Sequence, residues 1–143
     1  MGWAADYSDA GLLATHPPGP QLVAQHGLVR GTWDTAVAEA LQAVARGRGA
    51  ATLPKTRFSA FHGTDLEARL RAAAVDQVVV VGCLTNACVD ASVRDAFCLG
   101  FECVVPRECV ASVAEEAHAA ALLNLENFGS VVGVQDLLNQ LED

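Results

Sequence analysis

Residues 77–89, QVVVVGCLTNACV, constrain this chain more than any other stretch, because a β-branched run passes through one glycine straight into a helix start that carries a cysteine. Residues 78–81 are apolar at every position, which suits a strand buried on both faces of a parallel sheet. Gly82 ends the run. Thr85 and Asn86 are then candidate N-caps that place Cys88 in the first turn of the following helix. Backbone N–H groups without acceptors and the positive end of the helix dipole favour an anion there, so a thiolate is favoured at Cys88. Open α/β sheets bind ligands beyond the carboxyl ends of their strands, which makes the same position a candidate active site. Cys88 is therefore the lead nucleophile; the competing reading is a small buried apolar cysteine.

The rest of the chain is read from glycine, proline and capping signals. Residues 1–30 are expected to be irregular, since PPGP at 17–20 opposes regular helix or central strand. Thr32 is expected to cap a helix through Trp33, Val37, Leu41 and Val44, stopped by Gly47 and Gly49. A short strand is expected at 51–54. Thr64 with Glu67, and Ser112 with Glu115, have capping-box spacing for helices carrying Leu66 and Leu70, and His118, Leu122 and Leu125. The helix after Cys88 is expected to end at Gly100 with an Asp90–Arg94 pair on its surface. Strands follow at 101–105 and 130–134, then a terminal helix. Strand and helix alternate, so the fold expected is α/β: three layers, Rossmann-like, a mostly parallel sheet flanked by helices in one domain over 1–143.

Composition narrows the function classes. The 143 residues are 52% hydrophobic, enough for one core, and the formal net charge of −8 opposes binding to nucleic acid or an anionic membrane. The longest apolar run is a few residues and the N-terminus lacks a basic-then-apolar leader pattern, so no membrane span is expected and the location expected is cytoplasmic. Five cysteines without scaffold spacing fit reduced thiols, and no cysteine–histidine cluster suggests structural zinc. Cys83, Cys98, Cys103 and Cys109 are read as core packing. No metal and no cofactor is expected.

Three segments in order, KTRFSAFHGTDLEARL, VVVVGCLTNACVDASVRDAF and CVVPRECVAS, followed by a helix containing His118, resemble the isochorismatase-like cysteine hydrolase superfamily over roughly residues 27–138. The GTW at 31–33 and the TN-C-V form at 85–89 resemble members that cleave ureido or carbamoyl amides. The resemblance implies a C–N hydrolase of small amides with Cys88 as nucleophile and Lys55, just before the SAF segment, as its cationic partner. It also implies a cis peptide between Cys83 and Leu84, in a turn whose amides, Thr85 included, form an oxyanion hole with that of Cys88. Asn86, Trp33, Phe58 and Phe61 are candidate substrate contacts, and Trp3 and Tyr7 are weighed with them against core packing. His16, His26, His62 and His118 lack the Asp-x-His spacing of the metal-dependent branch.

The family's third catalytic group, an aspartate on its first strand, has no counterpart here. Asp6 and Asp9 match the loop after the second strand and are expected to be solvated loop residues. The first two family strands are thus expected to be missing, and in a 3-2-1-4-5-6 sheet their loss leaves the 78–81 strand with an uncovered edge. The chain is accordingly read as a truncated gene product or incomplete gene model whose loose edge favours a homo-oligomer. Two further readings accompany the amidase. One is an inactive paralogue that acts as a binding or assembly partner. The other is isochorismate-type ether hydrolysis, which the cysteine opposes because that branch lacks it.

Overall fold

The computed structural model describes residues 1–142, in two compact units, Met1–Arg57 and Phe58–Asp143.

The first unit is organised around Trp3, which is 1% exposed. The backbone of Trp3 pairs with Leu28 and Arg30 on either side of an isolated parallel bridge to Val29, and its indole N–H donates to Thr56 O at 2.9 Å. Tyr7 packs edge-on against it at 5.8 Å and donates its hydroxyl to Gly27 O. Trp3 and Tyr7 are thus core residues of this unit. A short helix, α1 (Gly19–Ala24), starts inside PPGP, contrary to the expectation of irregular chain. Pro20 lies in its first turn, where a missing N–H costs no hydrogen bond.

The helix expected from Thr32 also differs. A 3₁₀ turn covers Trp33–Thr35, and α2 begins only at Glu39 (Glu39–Gly47), because Ala36 and Ala38 are extended. Thr32 spends its hydroxyl on Val29 O and the Asp34 carboxylate instead of capping. No strand forms at 51–54.

The second unit is a parallel α/β layer. After α3 (Leu66–Ala72), strands β1 (Gln77–Val79), β3 (Glu102–Pro106) and β5 (Ser130–Val132) form a sheet in the order β1-β3-β5. Short strands β2 (Gly82–Cys83) and β4 (Val110–Ala111) extend β1 and β3 as a second parallel pair. The crossovers are α4 (Asp90–Cys98) and α5 (Glu115–Leu125), and α6 (Val134–Glu142) follows β5. The α4 and α5 helices touch each other and pack with β3 in a core of Val93, Ala96, Val105 and Leu125, each fully buried.

That arrangement corrects the reading of 78–81 as buried on both faces. Val78 and Val80 pack against the core, whereas Val79 and Val81 are 44% and 56% exposed. The crossovers between neighbouring parallel strands put their helices on one face, and alternate side chains point to the other. The β1 strand is also an edge of its sheet among the described residues, as the doubly wound order led one to expect.

Two helix starts depart from capping-box chemistry. Asp65 and Ala114, not Thr64 and Ser112, occupy the cap positions of α3 and α5, and neither makes a side-chain cap bond. Thr64 donates to Ala60 O at 2.6 Å, and Ser112 donates to Asn86 Oδ1 at 2.6 Å. Gly100 ends α4 at φ +81°, and Asp90 and Arg94 pair at 2.8 Å.

Candidate active site

Cys88 lies where the sequence placed it, just beyond the carboxyl end of β2 and at the head of a helical run. That run opens with a single π turn, Thr85–Val89, and passes directly into α4. Such turns recur at functional sites because they free backbone groups from the regular ladder. The Ala87 and Val89 N–H groups both donate to Leu84 O, so those of Thr85 and Asn86 are the leading donors of the run, with no acceptor inside it. The peptide joining Cys83 to Leu84 is cis. Thr85 and Asn86 are the first residues of the turn, with Leu84 at the cap position, which corrects their assignment as N-caps.

Three side chains from outside the turn hold it. The buried Thr85 hydroxyl shares a 2.9 Å hydrogen bond with His118 Nδ1 on α5. Ser112, after β4, reaches Asn86. Ser92, itself buried, donates to Cys88 O at 2.6 Å and accepts from Ala60 N–H at 2.9 Å, fixing the segment at 58–64 to the first turn of the helix. Sequence reasoning passed over Ser92 and gave Ser112 a helix-capping role instead. The 88–92 spacing was the available signal for the first, since serine hydroxyls bond back to the carbonyl four residues earlier. Nothing in the spacing connects Ser112 to Asn86.

Three of the four remaining thiols differ from their assignment as core residues, and Cys103 keeps to it. Cys103 alone among the other four is buried, and burial pushes its thiol pKa up, as expected of an inert thiol. Cys83, Cys98 and Cys109 are exposed, because they stand on a short strand, at a helix end and in a surface turn.

Lys55 belongs to the first unit, where its ammonium donates to Arg57 O at 2.9 Å and its carbonyl accepts from Gly2 N–H. Trp33 is 89% exposed in the same unit. Phe58 is half-buried in the second, and Phe61 packs against Phe101 with ring centres 6.0 Å apart, at the margin of the core. Asp9 is more than a solvated acid. Its carboxylate accepts from Ala4 N–H at 2.8 Å and pairs with Arg30 at 2.6 Å, and these hold its pKa below the ordinary value. The Ser8 hydroxyl does the same for Asp6.

Two hollows of the second unit lie elsewhere. One of about 640 Å³ runs past Phe97, Phe101 and Phe128, and one of about 290 Å³ past Phe61, Cys98 and Leu99. Neither is lined by Cys88.

A parallel α/β layer with a cysteine at a strand-to-helix turn defines a class of hydrolase scaffold, and comparison with known proteins identifies it. The model of the isochorismatase domain matches residues 7–136, and the chain belongs to that family. It is 35% identical to the ureidoacrylate amidohydrolase RutB of Agrobacterium fabrum, across 94% of this chain and 63% of that protein. Against the maleamate amidohydrolase of Pseudomonas putida it is 42% identical, across 70% of this chain and 47% of that one. Among solved structures, a cysteine hydrolase from Pseudomonas syringae pv. phaseolicola superposes over 99% of this chain and 69% of its own, with a TM-score of 0.85 at 25% identity. The chain thus spans about half to two thirds of the length of these curated relatives.

Proposed function

We propose that this chain is a cysteine hydrolase of small amides, with ureido, carbamoyl or maleamate-like substrates. The observation that carries the reading is Cys88 at the head of the Thr85–Val89 turn, beyond the carboxyl end of a parallel strand pair and fixed there from three directions. In this reading the Cys88 sulfur attacks the amide carbonyl carbon, and the N–H groups of the turn that includes Cys83, Leu84 and Thr85 receive the developing oxyanion. Collapse breaks the C–N bond. The amine or ammonia leaves with a proton, and a thioester remains on Cys88. Water then adds to the thioester carbonyl, the carboxylic acid departs and the thiol is restored.

Lys55 is the cation of this mechanism, an assignment supported by its place in the family motif and one that calls for no metal and no cofactor. Asn86 contributes a polar contact to the substrate, and Trp33, Phe58 and Phe61 its apolar surface. The names of the two curated relatives supply the first substrates to try.

Ammonia release from ureidoacrylate and maleamate tests this. The intact chain is expected to turn over at least one of them, and Cys88→Ser to lose about a thousandfold or more of that rate. Turnover that survives Cys88→Ser contradicts the assignment.

A second reading, a binding or assembly role without catalysis, is favoured by the first unit's acids. Asp6 and Asp9 are both engaged in loop bonds, and neither matches the family's base motif. A folded chain that hydrolyses neither amide would support it.

A further inference from the structure

We infer that His118 is a positioning residue that locks the Cys88 turn through the hydroxyl of Thr85. As far as catalysis is concerned, the inference rests on the amidase reading; the lock itself does not. Thr85 has no exposed surface, and its side-chain oxygen lies 2.9 Å from His118 Nδ1, 33 positions away in sequence. A buried hydroxyl that loses such a partner leaves a polar group with no water to replace it. The imidazole comes from a rigid source: α5 is anchored by Ala121 and Leu125, both buried, on the same helix.

The two other tethers cannot substitute for it. The Ser112–Asn86 pair is exposed, where water competes for both groups, and Ser92 acts from within the same helical run. Thr85 is the first residue of the turn, and its N–H is one of the two leading donors of the run. The rotation of its side chain and the direction of that N–H are set by the same backbone, so His118 fixes where the amide points. His118 touches neither the sulfur nor the substrate in this scheme; its effect passes through Thr85.

The test combines hydrogen exchange with kinetics on the intact chain. His118→Ala and Thr85→Val are each expected to speed amide exchange in residues 84–89 by about tenfold, with the rest of the second unit near wild type. His118→Asn, which keeps a polar group near the Nδ1 position, is expected to restore exchange to within about threefold of wild type, and the double variant to exceed neither single variant. On the amide that the wild type hydrolyses best, His118→Ala lowers kcat by about tenfold and leaves KM within about twofold.

Exchange unchanged at 84–89 in His118→Ala, or losses that simply add in the double variant, would overturn the lock. A kcat that stays at the wild-type value while exchange rises would overturn its catalytic role. A wild type with no turnover, but with the exchange pattern above, retracts the amidase reading and retains the lock.

Discussion

Cys88, Lys55 and the four other thiols can be separated by their surroundings. Site-resolved alkylation should find Cys103 unreactive in the native chain, because it is 4% exposed and its thiol is held neutral by burial. Exposed Cys98 should react, yet Cys98→Ser is expected to leave amide turnover near the wild-type rate, since that thiol sits at the far end of α4 from Cys88. Lys55→Ala is expected to lower turnover by about a hundredfold if its charge supports the reacting atoms. An unchanged rate would remove Lys55 from the mechanism. Cys88 was legible in the sequence because a β-branched strand, a glycine and a helix start fix its place within a dozen residues. Ser92 and His118 were less legible: one bonds back to the Cys88 carbonyl through a four-residue spacing that many helical serines share, and the other depends on a tertiary contact.

At the level of elements, β3, buried from Cys103 through Pro106, and the helices packed on it carry the second unit. Leu125→Ala should cost about 3 kcal/mol in urea unfolding, as it empties a fully buried site between α5 and the sheet. Gly129→Ala should also destabilise the fold, for a different reason: an added Cβ would stand 2.5 Å from the Cys103 carbonyl oxygen, where backbone must shift. Gly100→Ala meets open space and should cost only about 1 kcal/mol for its positive φ. A Gly129 variant as stable as wild type would show that β5 can move away from β3. Strand and helix identities from β1 onward were readable from period and punctuation. Several helix starts were not: Thr64 accepts from Leu66 N–H and donates to Ala60 O but stands one residue before the cap position, while Thr85 and Ser112 pair with His118 and Asn86, tertiary partners that sequence spacing cannot show.

For the whole molecule, charge and its distribution set the response to acid. Asp9 is held below the ordinary value of 3.8 by the Ala4 N–H and Arg30, and Asp34 by the Thr32 hydroxyl and the Leu28 N–H. A carboxylate whose folded pKa is depressed stabilises the fold above its unfolded pKa and ceases to do so as pH falls through its folded pKa. The first unit should therefore loosen as pH drops below 3.8, seen as a red shift of Trp3 emission in a Trp33→Phe background. Emission unchanged down to about pH 2 would contradict this. No helix among the described residues is long and apolar enough to cross a membrane. The family was readable from three motifs in order, whereas the division at Arg57 and the exposed face of β1 were not, since both depend on which surfaces the chain brings together. The central claim is a covalent intermediate on Cys88, and rapid-quench peptide mass spectrometry during turnover of maleamate or ureidoacrylate tests it most directly. The expected result is a transient acyl adduct on the peptide carrying Cys88, absent in Cys88→Ser; turnover with no adduct on that peptide, or an adduct on another cysteine, would contradict it.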